Sequence, residues 1–187
     1  MSAVQSPVAS RTTWAVDPAH SNVEFSVRHL MITTLKGRFT DVEGSVVLDE
    51  ADPAASVAEV TVKIASIDTR EPQRDAHLRS ADFFDAEKFP TLTFRSTGVE
   101  GRLGESFKLT GDLTIHGVTR PVVLDVTSEG QIKDAWGGLR SGFTATTRIK
   151  RSEFGLTWNQ LLEAGGVTVS DEVKISLDVQ LVSAGPA

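Results

Sequence analysis

The chain has 187 residues, 19 Lys and Arg against 25 Asp and Glu, a formal net charge of −6 and no cysteine. That length suits one domain with a substantial core. The acidic balance argues against non-specific nucleic-acid binding, which needs basic side chains to replace phosphate counterions, and the missing cysteine excludes disulfides, a thiolate nucleophile and a thiolate metal site.

The N-terminal run MSAVQSPVASRTT is small and polar. It has no basic segment followed by about 7–15 apolar residues, so no secretory signal is read there. A cytoplasmic location is expected, with a periplasmic or secreted one if a signal has been removed. No stretch approaches the ~18 apolar residues of a membrane-spanning helix.

From residue 23 the pattern has period two. Val23, Phe25, Val27 and His29 share one face, with Glu24, Ser26 and Arg28 opposite. Alternation then fails in RHLMITTLKGRF, where Leu30, Met31 and Ile32 stand in a row beside His29. Such a run is either buried on both sides or borders an apolar cavity. Val60, Val62 and Ile64 alternate with Thr61, Lys63 and Ala65. In residues 71–84, Arg74, His77, Leu78 and Ala81 follow helical spacing, and Pro72 suits a first helical turn. Period two returns in Phe107, Leu109, Gly111, Leu113 and Ile115, then in Val122, Leu124 and Val126. It continues in Leu139, Ser141, Phe143, Ala145, Thr147 and Ile149, and ends with Val173, Ile175, Leu177, Val179 and Leu181.

Asp52-Pro53, Gly101 with Gly104, His116-Gly117, Glu129-Gly130 and Gly137-Gly138 mark turns at hairpin spacing. Strict alternation belongs to antiparallel strands with one dry and one wet face. The fold class is therefore all-β, with about eight strands or more, one short helix and a single domain. Dry-face Gly111, Ser141, Ala145 and Thr147 are small. A sandwich interdigitates large side chains, whereas a barrel of about eight strands is wide enough for a ligand. Phe and Leu reaching across from opposite strands would close the same gap, so pattern alone leaves both architectures open.

Five runs then occur in order: DPAHSNVEFSVRHL (17–30), KGRF (36–39), SIDTREPQRDAHLRSADFFDAEKFPTLTF (66–94), GDLTIHGVTRPV (111–122) and RSEFGL (151–156). Together they resemble the YceI-like family, and the similarity extends from about Trp14 to Leu181. The resemblance implies an extended antiparallel lipocalin-like β-barrel with its short helix near the pore. Its expected bounds are residues 13–183, between a flexible N-terminal segment (1–12) and a tail (184–187). It further implies a pore that binds a polyisoprenoid, an isoprenoid quinone or a similar long-chain amphiphilic lipid. Many family members are periplasmic or secreted, whereas no signal is visible here.

On this reading Phe25, Val27, His29, Met31, Leu35, His77, Leu78, Phe94, Phe143 and Ala145 face the pore, and Leu30, Met31, Ile32 and Leu35 form an apolar lip at its end. No cofactor is required beyond a bound isoprenoid or quinone-like lipid. The expected partner is that lipid and no nucleic acid, and a homodimer is compatible with the reading.

The remaining chemistry is sparse. No two of His20, His29, His77 and His116 sit at i+2 or i+4, and HExxH is absent, so no metal is expected. His20 and His116 read as turn residues bonding nearby backbone. His29 and His77 suit contact with a quinone carbonyl or hydroxyl head, or a structural role. Arg74 and Arg79, beside Arg70, suit a phosphate head, since guanidinium matches those oxygens bidentately. Pairing with Asp68, Glu71, Asp75 and Asp82 is the competing expectation. Phe83, Phe84 and Phe89 read as core, and Asp17, Asp68 and Asp82 as capping or turn residues. No nucleophile–base spacing exists, so no catalytic residue is assigned. A lipid carrier is preferred over an enzyme using His29 or His77, and over a stress-related interaction protein with an incidental pore.

Overall fold

A computed structural model describes residues 11–186. Its strands are β1 (Arg11–Val16), β2 (Asn22–His29), β3 (Thr33–Phe39), β4 (Val42–Asp49), β5 (Val57–Lys63), β6 (Ile67–Asp68), β7 (Thr91–Gly101), β8 (Ser106–Ile115), β9 (Val118–Lys133), β10 (Leu139–Lys150) and β11 (Glu172–Pro186). One α-helix, α1 (Pro72–Arg79), lies between β6 and β7. All pairings are antiparallel, and β1 returns to β11 to close the sheet.

Three long strands are each interrupted once. Pro18–His20, a short 3-10 turn, separates β1 from β2, yet β11 pairs with both: Leu181 faces Val16 and Lys174 faces Ser26. The β3–β4 and β5–β6 pairs are continuous in the same way, with Val42 facing Val62 and Phe39 facing Ile67. The closed ring therefore has eight staves, each beside its sequence neighbour. This is an up-and-down barrel, which leaves no sheet edge exposed along its length. The β2–β3 tip, α1 and the 155–171 segment stand at one end, and the 50–56, 102–105 and 134–138 connections at the other.

Alternation located β2, β5, β8, β9, β10 and β11 but missed β1, β3, β4 and β7. In β3 and β4 the inward positions include Gly37 and Gly44, which lack the apolar side chain the pattern needs. A Cβ on Gly37 would overlap the Phe25 ring, and one on Gly44 would meet Glu59 O and Val16. In β7 a bulge between Ser96 and Gly98 moves the inward face from even to odd positions. Glu129-Gly130 is not a turn: it lies inside β9, where Gly130 has φ 105° beside a bulge opposite Gly142 and Phe143. His116-Gly117 is the two-residue β8–β9 turn, both residues having positive φ.

The strands also exceed the expected domain bounds, since β1 begins at Arg11 and β11 reaches Pro186. The rest of the expected N-terminal segment, residues 1–10, and residue 187 of the tail lie outside the described residues. Among the described residues no helix is long and apolar enough to cross a membrane.

The interior is not one continuous core. Buried side chains form three clusters, around Trp14, Phe39 and Val62, around Leu113, Ile149 and Phe154, and around Phe107, Leu124 and Val126. Between them inward Val23, Phe25, Val60, Ile175, Leu177 and Val179 are only half-buried. A packed barrel would merge these groups into one contact cluster; here they surround open space.

Candidate functional site

That open space is a cavity of about 480 Å³. It falls within the ~300–1,000 Å³ of pockets that hold small organic ligands. Its wall is overwhelmingly apolar because each stave turns its dry face inward: Val23, Phe25 and Val27 from β2, Phe107, Leu109 and Leu113 from β8, Ile175, Leu177 and Val179 from β11. The cavity runs the length of the barrel, from Leu48, Val57 and Leu103 at one end to His29, His77 and Trp158 at the other.

Polar groups gather at the α1 end. The helix is fixed by its first turn: Glu71 caps Gln73 N, and Thr69 donates through N and Oγ1 to the buried Asp75 carboxylate at 2.9 and 2.5 Å. Arg74 Nε and Nη2 then donate to Thr69 Oγ1 and O, both at 2.8 Å. This holds the Arg74 guanidinium against the cavity wall with Nη1 unengaged among the described residues. One turn on, His77 Nε2 donates to Asp82 at 2.8 Å, and its ring packs edge-on against Phe83 and Trp158. The His29 imidazole also lines the cavity and has no hydrogen-bond partner among the described residues.

Arg151 closes this end. It is 6% exposed and donates to four carbonyls: Ser170 at 2.9 Å, Leu156 at 2.7 Å, Trp158 at 2.9 Å and Val169 at 3.3 Å. Those carbonyls belong to both arms of the 156–170 loop, so one guanidinium ties the two arms together at the base of the loop. Burial pulls its pKa below the usual value, with Asp171 opposing the shift.

Of the sequence-predicted wall residues, Phe25, Val27, His29, Leu35, His77, Leu78, Phe94, Phe143 and Ala145 line the cavity, as does the head-group candidate Arg74. Met31 does not. It stands at the β2–β3 tip, 53% exposed, because the strand reverses there instead of continuing inward. Arg79 is also outside the wall, donating to Ala65 O at 3.2 Å. The expected arginine–carboxylate pairing around α1 is replaced by other bonds: Arg74 and Arg79 use backbone and hydroxyl oxygens, while Asp68 takes Arg38 and Asp82 takes His77. Phe83 and Phe84 line the cavity, whereas Phe89 packs on His116. His20 bonds the Asp17 carboxylate at 2.9 Å and not backbone.

Small dry-face positions are not all open volume. Gly111 lies under the Phe94 ring, which a Cβ would overlap, and Ala145 is buried with Phe107, Leu124 and Val126. Arg151, Trp158 and Val169 were not foreseen as wall residues. They sit in a segment without strand or helix periodicity.

The chain matches the YceI-like domain over residues 14–181. The chain belongs to the YceI-like family. It is 47% identical over 135 residues to the UPF0312 protein plu2095 of Photorhabdus laumondii, covering 72% of this chain and 70% of that protein. Among solved structures it is similar to Burkholderia cenocepacia BcnA, with a TM-score of 0.76 and 28% identity over 88% of this chain and 98% of that one. A polyisoprenoid binding domain from Saccharophagus degradans, implicated in plant cell wall breakdown, shares the fold at a TM-score of 0.66 and 15% identity, over 92% of this chain and 99% of that one. The lipocalin-like barrel expected from the resemblance is thus the fold of this YceI-like chain.

Proposed function

We propose that this YceI-like protein binds a long-chain isoprenoid lipid in its barrel and carries or sequesters it. The observation that carries the reading is the continuous apolar cavity of about 480 Å³ between the three packed clusters. An apolar tail withdrawn from water contributes ~0.8 kcal/mol per methylene, so a long tail is held tightly with no ionic contact. The tail lies among Val60, Leu109, Leu113, Leu177 and Val179, and the head reaches the α1 end. There His29, whose imidazole has no hydrogen-bond partner among the described residues, offers a hydrogen bond to a quinone carbonyl or hydroxyl, and Arg74 Nη1 offers another. The name of the Saccharophagus degradans domain supports the same ligand class by likeness of fold.

Organic extraction of protein purified from its native host, followed by mass spectrometry, tests this. A stoichiometric isoprenoid or isoprenoid quinone is expected. Absence of both a copurified lipid and uptake of an added isoprenoid quinone would overturn the reading. The His77–Asp82 pair makes an enzyme the second reading, because it is the arrangement of an oriented acid–base. A chemically converted lipid recovered with wild-type protein, and lost in His77→Gln, would move the assignment there.

A further inference from the structure

Two hairpin tips project side by side from the α1 end. The β2–β3 tip carries Leu30, Met31 and Ile32, which are 37%, 53% and 73% exposed. The second tip is the turn of the 156–170 loop, where Leu161 bridges Val167 and is 86% exposed. The segment 167–170 lies between them: Leu30 N donates to Thr168 O, and Thr168 N donates to Gln160 O. Both tips therefore extend one sheet in one direction, beyond the His29 and Trp158 end of the cavity.

The fold does not ask for these residues. Leu30 and Met31 have φ of 50° and 58°, a conformation that Asn-Gly adopts without strain in a two-residue hairpin. Here two bulky apolar residues adopt it, fastened by Arg28 Nη2 on Met31 O at 3.1 Å. Backbone strain and apolar exposure fall on the same residues, a coincidence that points to a function for the tip.

Charge indicates what the tip meets. Residues 28–38 include Arg28, Lys36 and Arg38 and no carboxylate. Lys174 joins them, opposite Ser26, which in turn faces Lys36. Among the described residues only Arg38 of these four is in an ion pair, with Asp68. The basic excess is local to the β2–β3 hairpin and Lys174: taken over all connections both ends are net acidic, with eight carboxylates against five basic residues at the α1 end and four against one at the other. Glu163 is the one carboxylate on the two tips. Apolar tips with a basic collar behind them fit the interface of an anionic bilayer. A second copy docked face to face would set like charges together.

We propose that this end docks on an anionic lipid bilayer, with Leu30, Met31, Ile32 and Leu161 entering the interface and Arg28, Lys36 and Lys174 meeting the headgroups. A lipid ligand then passes between bilayer and cavity without crossing water. That exchange rests on the carrier reading above, whereas the docking does not.

Cosedimentation of the full chain with vesicles of phosphatidylcholine containing phosphatidylglycerol tests the docking. Wild-type protein is expected to bind these and to bind pure phosphatidylcholine several-fold less, in line with anionic headgroup attraction. Met31→Asn with Ile32→Ser should lower vesicle binding about tenfold, because two apolar side chains leave the interface. Uptake of a water-soluble short-chain quinone by that variant should stay unchanged. Glu163→Gln should strengthen vesicle binding about twofold, a gain that does not depend on how the tip variant folds. Trp136→Ser on the opposite hairpin should change nothing. No vesicle binding by wild type, equal binding by the tip variant, or loss caused by Trp136→Ser would each overturn the docking. A dimer that the tip variant dissolves would do the same by assigning the tips to a second copy. Vesicle binding without any quinone uptake would leave the docking standing and remove the carrier reading.

Discussion

The two ends of the cavity are built from different chemistry. At the 50–56 and 102–105 end, Leu48, Val57, Val99 and Leu103 line it, and ionic groups are turned outward. Arg140 there bonds Asp134 and Asp17, both at 2.8 Å, on the outer surface. At the α1 end, Arg74, His77 and His29 reach the cavity itself, and Arg151 is buried in its closure. On the lipid-carrier proposal the difference separates two jobs: a wall that excludes water at one end, and groups that meet the head at the other.

The largest expected effect is on that closure. Arg151→Met removes the donor to four loop carbonyls, and each buried acceptor left unpaired costs about 1–3 kcal/mol. Water satisfies some of them once the loop opens, so a net loss of about 3 kcal/mol in denaturant unfolding is expected. Lys at this position should recover little, because an ammonium lacks the planar fork that reaches both arms. Amide exchange should rise across 156–170 and stay slow in β8 and β9. Uniform exchange throughout the barrel would show that Arg151 supports the whole fold and not this end.

A second, smaller effect concerns the wall. Gly37 admits the Phe25 ring directly above its Cα, so Gly37→Ala should cost about 1–3 kcal/mol by overpacking. Phe25→Leu in the same chain should recover part of that, since the two nearest atoms belong to the ring while the Thr69 methyl stays close on the other side. If the double variant is no more stable than Gly37→Ala, the backbone and not the ring sets the requirement for glycine.

How much of this was legible follows from what each segment buries. In β2, β8 and β11 nearly every second side chain is apolar, so the periodicity that forms the strand is the periodicity read. Gly37 and Gly44 hide β3 and β4 because the inward space there is filled from other staves, by Phe25 and Val16. The β7 bulge hides a strand by changing parity halfway. The cavity itself was legible only as an alternative to cross-barrel packing: Phe94 over Gly111 realises that packing locally, while the half-buried β2 and β11 residues do not. Arg151 was illegible for a different reason. Its partners are backbone carbonyls, which any sequence supplies, so no residue pattern announces them.

Acid should act mainly on the outer network. Asp134 is held below the usual carboxylate range by its bond from Arg140, and Asp17 by His20 first and then by Ala19 N and Arg140. A carboxylate with a lowered folded pKa stabilises the protein above the unfolded value of about 3.9 and loses that contribution as pH falls through the folded one. Melting temperature should therefore be flat above about pH 5 and decline below about pH 4. Asp17→Asn should flatten this decline while leaving quinone uptake at pH 7 intact. An unchanged acid limb in the variant would place the responsible carboxylates elsewhere, Asp49 and Asp68 being the next candidates because both are held down by hydrogen bonds.

The smallest effect should come from the head-facing groups, and it decides how the two ends share the binding. Each added methylene in the tail is worth ~0.8 kcal/mol, close to fourfold in affinity, until the cavity is full. A hydrogen bond from the His29 imidazole is worth about 0.5–1.5 kcal/mol net, and one from the charged Arg74 guanidinium about 1.5–3 kcal/mol. Affinity across a series of isoprenoid quinones should thus rise steeply with chain length, while His29→Gln shifts it by less than about tenfold and Arg74→Gln by about ten- to a hundredfold. Added salt should do little, because a buried apolar contact is not screened and an exposed charge pair is. The comparison inverts if a phosphate head dominates. Binding would then depend weakly on tail length, collapse in Arg74→Gln and fall with salt, and the α1 end would be the site of affinity instead of selection.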